Sequence, residues 1–550
     1  MILRLLLCCA TLQLTLLPPS LRAQMDKVAT GKRIMIAAHP LAAQAGLEIY
    51  RKGGNVVDVA VAAAYCLGVV EPHGSGIGGE GVMLIYDAGE DRYVVVDFKA
   101  TAPERASYEV LDYAKVGDWR RTIRGASVPG TVAGLELARE EFGRLDRKTV
   151  LQPAVEYALH GYRADSSLVA NLAVFQSLLR QDPHARKTYF PGDTLPSPGT
   201  VLRNPEYGRT LQKIQKGGAE AFYRGSVARM IAADMELHGG LISLEDLGAY
   251  KALLREPLSG MYRGYSVVTT PPPCGGMHLL EALEMLKFFD LEECRRQDGY
   301  SYHILAEVFK LMFEDEATLN GDPNYVEVPD EVVSSGAFAF GRLLEVNLGH
   351  ARHPARVDAD EVGGGHTTQL SVMDREGNAV SLTTTLSSLF GTSHSVEEGG
   401  FFLNNEMQNY SPSPEHPNAL RSHKRVVTSL VPTILSRENG PEYALGTPGG
   451  DLILSTVAQV IVNLLDYRMS LEEAVFAPRM FSTFYQREME MEPGFSAGTR
   501  ALLDSLGHDL KLYRSLRASF GAVQAVGRDP GRGLLLGVSD PRRSGNPRGE

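Results

Sequence analysis

The sequence predicts an α+β fold, and three observations carry that expectation. Helical spacing of apolar residues dominates from roughly Ser127 to Phe340. Two strand pairs are marked by tight turn clusters, near residues 80–98 and 367–386. After Thr367 the pattern turns to strands with helices set among them. Taken in order, the segment from His39 to Asp87 reads helix, turn, helix, glycine loop, strand. Leu41, Ala45, Leu47 and Tyr50 form a stripe that stops at Gly53-Gly54. Val56 to Val70 is apolar nearly all round, which calls for a buried helix. GVMLIYD and DRYVVVDF follow as two strands joined by the turn residues AGE. Helices are then expected at TVAGLELAREEFGRLD, LQPAVEYALHGYRA, GSVARMIAADMELHGG and SYHILAEVFKLMFEDEATL, and later at DLILSTVAQVIVNLLDY, LEEAVFAP and TRALLDSLG. Glu345 to Gly365, charged and then glycine-rich, reads as a mobile connector.

The 550 residues, 44% hydrophobic and 22% charged, describe a soluble globular chain with core enough for two or three domains. A net charge of −11 without a basic run argues against a nucleic-acid partner. Arg4, the apolar run Leu5 to Leu17, then Pro18-Pro19 and SLRAQ describe a signal peptide over residues 1–23. Thirteen apolar residues are too few to span a hydrocarbon core of ~30 Å, so no permanent membrane anchor is expected. The expected destination is periplasmic or extracellular. Cys8 and Cys9 leave with the signal; Cys66, Cys274 and Cys294 remain, an odd number that implies no disulfide framework. With neither C-x-x-C nor H-E-x-x-H, no metal site and no cofactor are expected.

Two motifs fail their context. GSGIGG, Gly74 to Gly79, has the spacing of a dinucleotide loop, but a helix precedes it and a strand follows, the reverse of what an anion site at a helix N-terminus requires. A tight turn, with glycine where backbones approach closely, fits better. GFSAG, Gly494 to Gly498, has the spacing of a nucleophile elbow but follows the charged QREMEMEP rather than a buried strand. Ser496 stands where a helix N-cap belongs.

The stretch GGGHTTQLSVMDREGNAVSLTTTL is different. Leu370 and Val372 share one face of a first strand, and Val380 and Leu382 share one face of a second. A three-residue loop Arg375-Glu376-Gly377 puts Gly377 at a left-handed position and pairs Asp374 with Asn378. In that register Thr367 faces Thr385, while a slip of one residue would mix apolar and polar faces. A threonine hydroxyl is a poor nucleophile without a base. A free α-amine, with a pKa of ~7.7–8.0, is partly neutral where lysine at ~10.4 is not. Cutting the His366–Thr367 bond would create that amine beside the hydroxyl, and Gly363-Gly364-Gly365 permits the backbone such a cut needs. The plain alternative is a hairpin rich in threonine, a common strand residue.

Further segments carry a resemblance: GLEIYRKGGNVVDVAVAAAYCLGVVEPHGSGIGGEGVMLIYD, DFKATAP, SVPGTVAGLELA, TTPPPCGG, FFLNNEMQNY, SLVPTIL, GTPGGDLI and SDPRRSG, beside the threonine hairpin. Across nearly the whole mature chain the sequence resembles the γ-glutamyltranspeptidase family of N-terminal-nucleophile hydrolases. The resemblance implies a four-layer αββα sandwich made when a precursor cleaves itself into a large piece, residues 24–366, and a small piece, residues 367–550. It implies Thr367 as nucleophile, Thr385 as its assistant, and Gly449 and Gly450 as oxyanion-hole donors. Where the family grips the donor's α-carboxylate with an arginine and two serines, this chain has Lys99, Thr428 and Ser429. Where it holds the α-ammonium, this chain has Glu406 and Asn409, and Ser387 replaces an asparagine after the assisting threonine. The loop between Tyr410 and Lys424 is short, so the lid of some members is not expected. The implied activity is transfer of an acyl group, γ-glutamyl first, from an amide such as glutathione to water or an amine. An acylase or peptidase for another acyl group, a non-catalytic binding protein of the same fold, and an NAD-linked oxidoreductase are the rival readings.

Overall fold

In the computed structural model, which describes residues 27–111, 119–353, 367–529 and 531–550, the threonine hairpin lies at the centre of a seven-stranded antiparallel sheet. The expected signal peptide, the glycine triplet and His366 lie outside the described residues. The sheet runs Asn546–Gly549, Arg33–Ala37, Thr367–Asp374, Ala379–Thr385, Glu80–Asp87, Arg92–Phe98, Leu253–Arg255. A second antiparallel sheet of seven runs Val28–Gly31, Leu534–Ser539, Gln524–Asp529, Gly440–Gly446, Thr433–Arg437, Tyr265–Thr269, Leu258–Tyr262. Each sheet therefore hydrogen-bonds strands from both sides of residue 367. Among the described residues no helix is long and apolar enough to cross a membrane.

The hairpin has the expected register: Thr367 pairs with Thr385, Leu370 with Leu382 and Val372 with Val380. Gly377 adopts φ +98° and donates to the Asp374 carbonyl at 3.2 Å, closing the turn. Period-two alternation separates two cores. Met83, Ile85, Leu370 and Leu382 pack against the helices Pro40–Arg51 and Val56–Val70. Val82, Leu84, Met373 and Ala379 belong to a second core with Val267, Ile434, Leu445 and Val526 of the other sheet. Hydroxyls bridge the sheets: Ser371 donates to the Gln524 carbonyl and Ser381 to the Leu445 carbonyl, both at 2.9 Å. Gln369 fills the same interior, donating to Ser381 Oγ at 3.0 Å and accepting from Thr383 at 2.6 Å. A buried hydroxyl or amide costs stability unless it is bonded, and these are.

The expected helices form, but the interval Ser127–Phe340 is less uniformly helical than its spacing suggests. Leu253–Arg255, Leu258–Tyr262 and Tyr265–Thr269 are strands, short and half-exposed along much of their length, so no long apolar period announces them. Leu253–Arg255 pairs with Arg92–Phe98 and Tyr265–Thr269 with Thr433–Arg437, both remote in sequence, while Leu258–Tyr262 is the edge strand of a hairpin with Tyr265–Thr269. The start of the expected mobile connector is tethered instead. Ala351 donates to the Leu506 carbonyl at 2.7 Å, and Arg352 pairs with Glu314 at 2.9 Å.

Both motif readings rest on visible contacts. The glycine loop joins the helix Val56–Val70 to the strand Glu80–Asp87. A Cβ on Gly79 would lie 2.2 Å from the Thr385 carbonyl oxygen. Ser496 caps the helix Ala497–Ser505, accepting from Thr499 N at 2.9 Å.

Gly79→Ala is accordingly expected to lower stability by about 1–3 kcal/mol, the range for a group forced into filled space. Chemical denaturation measures it, and an unchanged midpoint would mean that the Thr385 backbone has room to retreat.

Candidate active site

Thr367 opens its strand and Thr385 ends the partner strand, so the pairing brings two hydroxyls together at one end of the hairpin. Thr367 Oγ1 donates to Thr385 Oγ1 at 3.3 Å, and the Ser387 N–H donates to Thr385 Oγ1 at 2.8 Å. The second contact fixes the acceptor that the first one uses. Arg543 Nη1 donates to the Thr367 carbonyl at 2.9 Å, and the Thr368 hydroxyl donates to Glu71 at 2.5 Å. Both threonines line a cavity of about 480 Å³.

Of the other sequence-derived candidates, Ser387, Glu406, Asn409, Thr428, Ser429 and Gly450 line the same cavity. Gly449 precedes Gly450, with φ +148° and +58°, just ahead of the helix Leu452–Leu465. Neither glycine N–H donates to an acceptor among the described residues. Unpaired N–H groups at a helix N-terminus attract developing negative charge.

Lys99 stands apart. It is fully buried and does not line the cavity; its ammonium bonds Glu80 at 2.9 Å and Thr428 Oγ1 at 2.5 Å. Burial, the largest single influence, depresses the Lys99 ammonium, but Glu80 first, then Cys274 and Glu406, together raise it above its ordinary value and keep the group charged. Asn409 Nδ2 bridges Glu406 Oε2 at 2.7 Å and Ser387 Oγ at 3.0 Å. Glu406 Oε1 is buried without a hydrogen-bond partner among the described residues. Burial, and then Glu80, pushes the Glu406 carboxyl up to about 8, against the pull of Lys99 and Asn409.

Several wall residues carry no local sequence signal. Arg120 reaches the cavity from a short 3₁₀ turn. Glu316 accepts from Ser429 Oγ at 2.7 Å, and burial raises both its carboxyl and that of Asp451. The short Tyr410–Lys424 loop turns back on itself, Ser411 N donating to the Asn418 carbonyl at 2.9 Å, and lends His416 and Asn418 to the wall. Arg543 was within reach of sequence only as part of SDPRRSG, with nothing to tie it to Thr367.

A family model described as Gamma-glutamyltranspeptidase matches residues 42–549. The glutathione hydrolase proenzyme of Escherichia coli (strain K12) is 34% identical over 521 residues, covering 91% of this chain and 89% of its own length. An acylase proenzyme of Pseudomonas sp. (strain SE83) is 34% identical over 534 residues, covering 95% and 94%. The crystal structure of cephalosporin acylase from Bacillus halodurans superposes with a TM-score of 0.87 at 29% identity, covering 95% of this chain and 97% of that one.

The raised Glu406 carboxyl fixes the sign of a pH effect. The unfolded chain ionises this group near its ordinary 4.5 and the folded chain near 8, so the folded state holds the extra proton between them. That contribution to stability is complete below about 4.5 and is lost as pH climbs through about 8. Glu406→Gln, neutral throughout, is expected to melt higher relative to the parent at pH 8 than at pH 5. A melting-temperature difference that does not change with pH would show that Glu406 ionises normally.

Proposed function

Because the chain belongs to the γ-glutamyltranspeptidase family, we propose that it is an exported, self-processing amidohydrolase whose nucleophile is Thr367. The observation that carries this reading is the Thr367–Thr385 hydroxyl contact, 3.3 Å, on the wall of a cavity shared with Gly450. In processing, Thr367 Oγ1 attacks the His366 carbonyl carbon, the peptide nitrogen takes a proton and leaves as the α-amine, and water hydrolyses the resulting ester. Residues 24–366 and 367–550 are the products, and together they make a four-layer αββα sandwich. The two seven-stranded sheets, each drawing strands from both sides of residue 367, support that arrangement.

In turnover the new α-amine removes the Thr367 hydroxyl proton as Oγ1 attacks the acyl carbon of the substrate amide. The N–H groups of Gly449 and Gly450 stabilise the oxyanion. The amine departs with the proton, and water or a second amine then releases the acyl group from Thr367. Thr385 orients the hydroxyl, and Arg543 steadies the Thr367 carbonyl.

The acyl donor we assign first is a γ-glutamyl amide such as glutathione. Glu406 Oε1, buried and unbonded, is an acceptor for the donor's α-ammonium. Thr428 accepts from Lys99, which leaves its own proton for the donor's α-carboxylate, and Ser429 and Arg120 stand on the same cavity. A second reading, an acylase for donors without an α-amino acid head, is favoured by the Lys99–Glu80 pair. A cation already neutralised by a buried carboxylate grips a second one less firmly than a free arginine fork would.

Thr367→Ala is expected to remain one chain and to be inactive, as read by intact mass and N-terminal analysis. Thr385→Ala is expected to process and turn over more slowly, since it removes a hydrogen bond worth roughly 0.5–1.5 kcal/mol, with Thr385→Ser near normal. Cleavage after residue 366 in the Thr367→Ala protein would exclude the hydroxyl as the attacking group.

Donor choice is tested with γ-glutamyl and glutaryl anilides on the parent and on Glu406→Gln. A charge-assisted bond contributes ~1.5–3 kcal/mol against ~0.5–1.5 for a neutral one, so γ-glutamyl kcat/KM is expected to fall about tenfold while glutaryl turnover holds. Equal losses on both donors would remove the ammonium from Glu406. Glutaryl turnover above γ-glutamyl turnover in the parent would establish the acylase reading.

A further inference from the structure

Away from the cavity, the helix Ser226–His238 places Asp234 and His238 one turn apart on one face. His394 meets them from the segment that links the strand Ala379–Thr385 to Glu406. His394 Nε2 lies 2.7 Å from Asp234 Oδ2, and His238 Nε2 lies 3.7 Å from Asp234 Oδ1. One donor atom from each of the three residues falls within 4.8 Å of the others. Behind them, Asp182 Oδ2 stands 3.7 Å from His394 Nδ1. Asp182 is itself held by the N–H groups of Ala185 and Ser395 at 2.7 and 2.9 Å. Asp182 and Asp234 are 7% and 3% exposed, and among the described residues neither pairs with a lysine or arginine.

Ser395 Oγ also donates to Asp182 at 2.7 Å and Glu397 N to Asp234 at 3.4 Å. Yet among the described residues imidazoles are the only groups beside these two buried carboxylates that can carry positive charge, a setting that favours a cation. We propose that Asp234, His238 and His394 bind a divalent transition metal, with zinc the best match to two imidazoles and a carboxylate. Zinc bonds of ~2.0–2.2 Å set neighbouring tetrahedral donors about 3.3 Å apart, whereas the two imidazoles now lie 2.7 and 3.7 Å from different oxygens of Asp234. Small side-chain rotations complete the site. With Nε2 on the metal, His394 turns Nδ1–H toward Asp182, the carboxylate–histidine arrangement that orients a ligand ring. His238, its side chain 44% exposed, leaves a path to solvent and a fourth position for water. The metal would fasten the helix to the segment that carries Ser387 and Ser388, and Ser388 N already donates to Asn405 at 2.9 Å. A second histidine cluster, His303 with His508 and Glu307, is excluded because the Lys310 ammonium already occupies Glu307 at 2.7 Å.

The test uses the purified protein, stripped with a chelator and titrated with zinc chloride by calorimetry and by thermal unfolding. One-to-one binding at sub-millimolar zinc and a raised unfolding midpoint are expected. His238→Ala, at an exposed position, is expected to fold normally without metal, bind zinc about tenfold or more weakly, and lose the rise in midpoint. Cobalt(II), whose visible bands report tetrahedral ligation, is expected to give those bands with the parent and not with His238→Ala. Zinc binding of the same strength in both proteins, or none in the parent, would overturn the proposal.

Discussion

The pairing of Thr367 with Thr385 is the constraint on which the rest of the site depends. It belongs to a row that crosses the sheet: Thr385 pairs in turn with Glu80, and Glu80 stands beside Lys99. One end of one sheet thus supplies both threonine hydroxyls, proposed as nucleophile and assistant, and the ion pair behind the cavity wall. A one-residue slip would exchange the faces of the strand. It would drive Leu370 and Val372 into the polar layer of Gln369, Ser381 and Thr383 and separate the two hydroxyls. Core packing and site geometry therefore enforce the same register.

The second sheet completes the site through the same interior. Ser381 bonds the carbonyl of Leu445, in the strand whose chain continues to Gly449 and Gly450 and then into the helix Leu452–Leu465. The position of the two glycine N–H groups relative to Thr367 is thus set by a bonded sheet-to-sheet contact rather than by a free loop. Preorganisation of this kind is what the proposed oxyanion role of Gly449 and Gly450 would require, because donors that must reorient during the reaction give up much of their effect.

How much of this could be read in advance depends on distance along the chain. The hairpin was legible because its turn, its apolar alternation and its register lie within a score of residues, and the buried helix Val56–Val70 announced itself by composition. Leu258–Tyr262 and Tyr265–Thr269 were not legible, since the first is a half-exposed edge strand without a clean apolar alternation and the second is held in the sheet by Thr433–Arg437, remote in sequence. Arg543, Arg120, Glu316 and His416 reach the site from distant segments with no pattern that names them. The burial of Lys99 is an intermediate case. The strands Glu80–Asp87 and Arg92–Phe98 pair Gly81 with Phe98, and one more step of that register sets Glu80 opposite Lys99. The signal was in the hairpin, but residue identity alone suggests an unpaired charge on Lys99, where the structure pairs it with Glu80.

That pair also shapes the electrostatics that a substrate meets. Glu80 is shared between Lys99, which it holds charged, and Glu406, whose proton it helps to retain. An entering ammonium beside Glu406 would reverse the second effect, because a positive charge favours release of the proton that Glu80 and burial keep in place. A donor without an ammonium would find Glu406 neutral near pH 7 and face no repulsion from it. One buried carboxylate thus lets the same wall answer a cationic head with charge and an uncharged one with hydrogen bonds. If donors bind as proposed, their selection is a question about the proton on Glu406 as much as about the shape of the cavity.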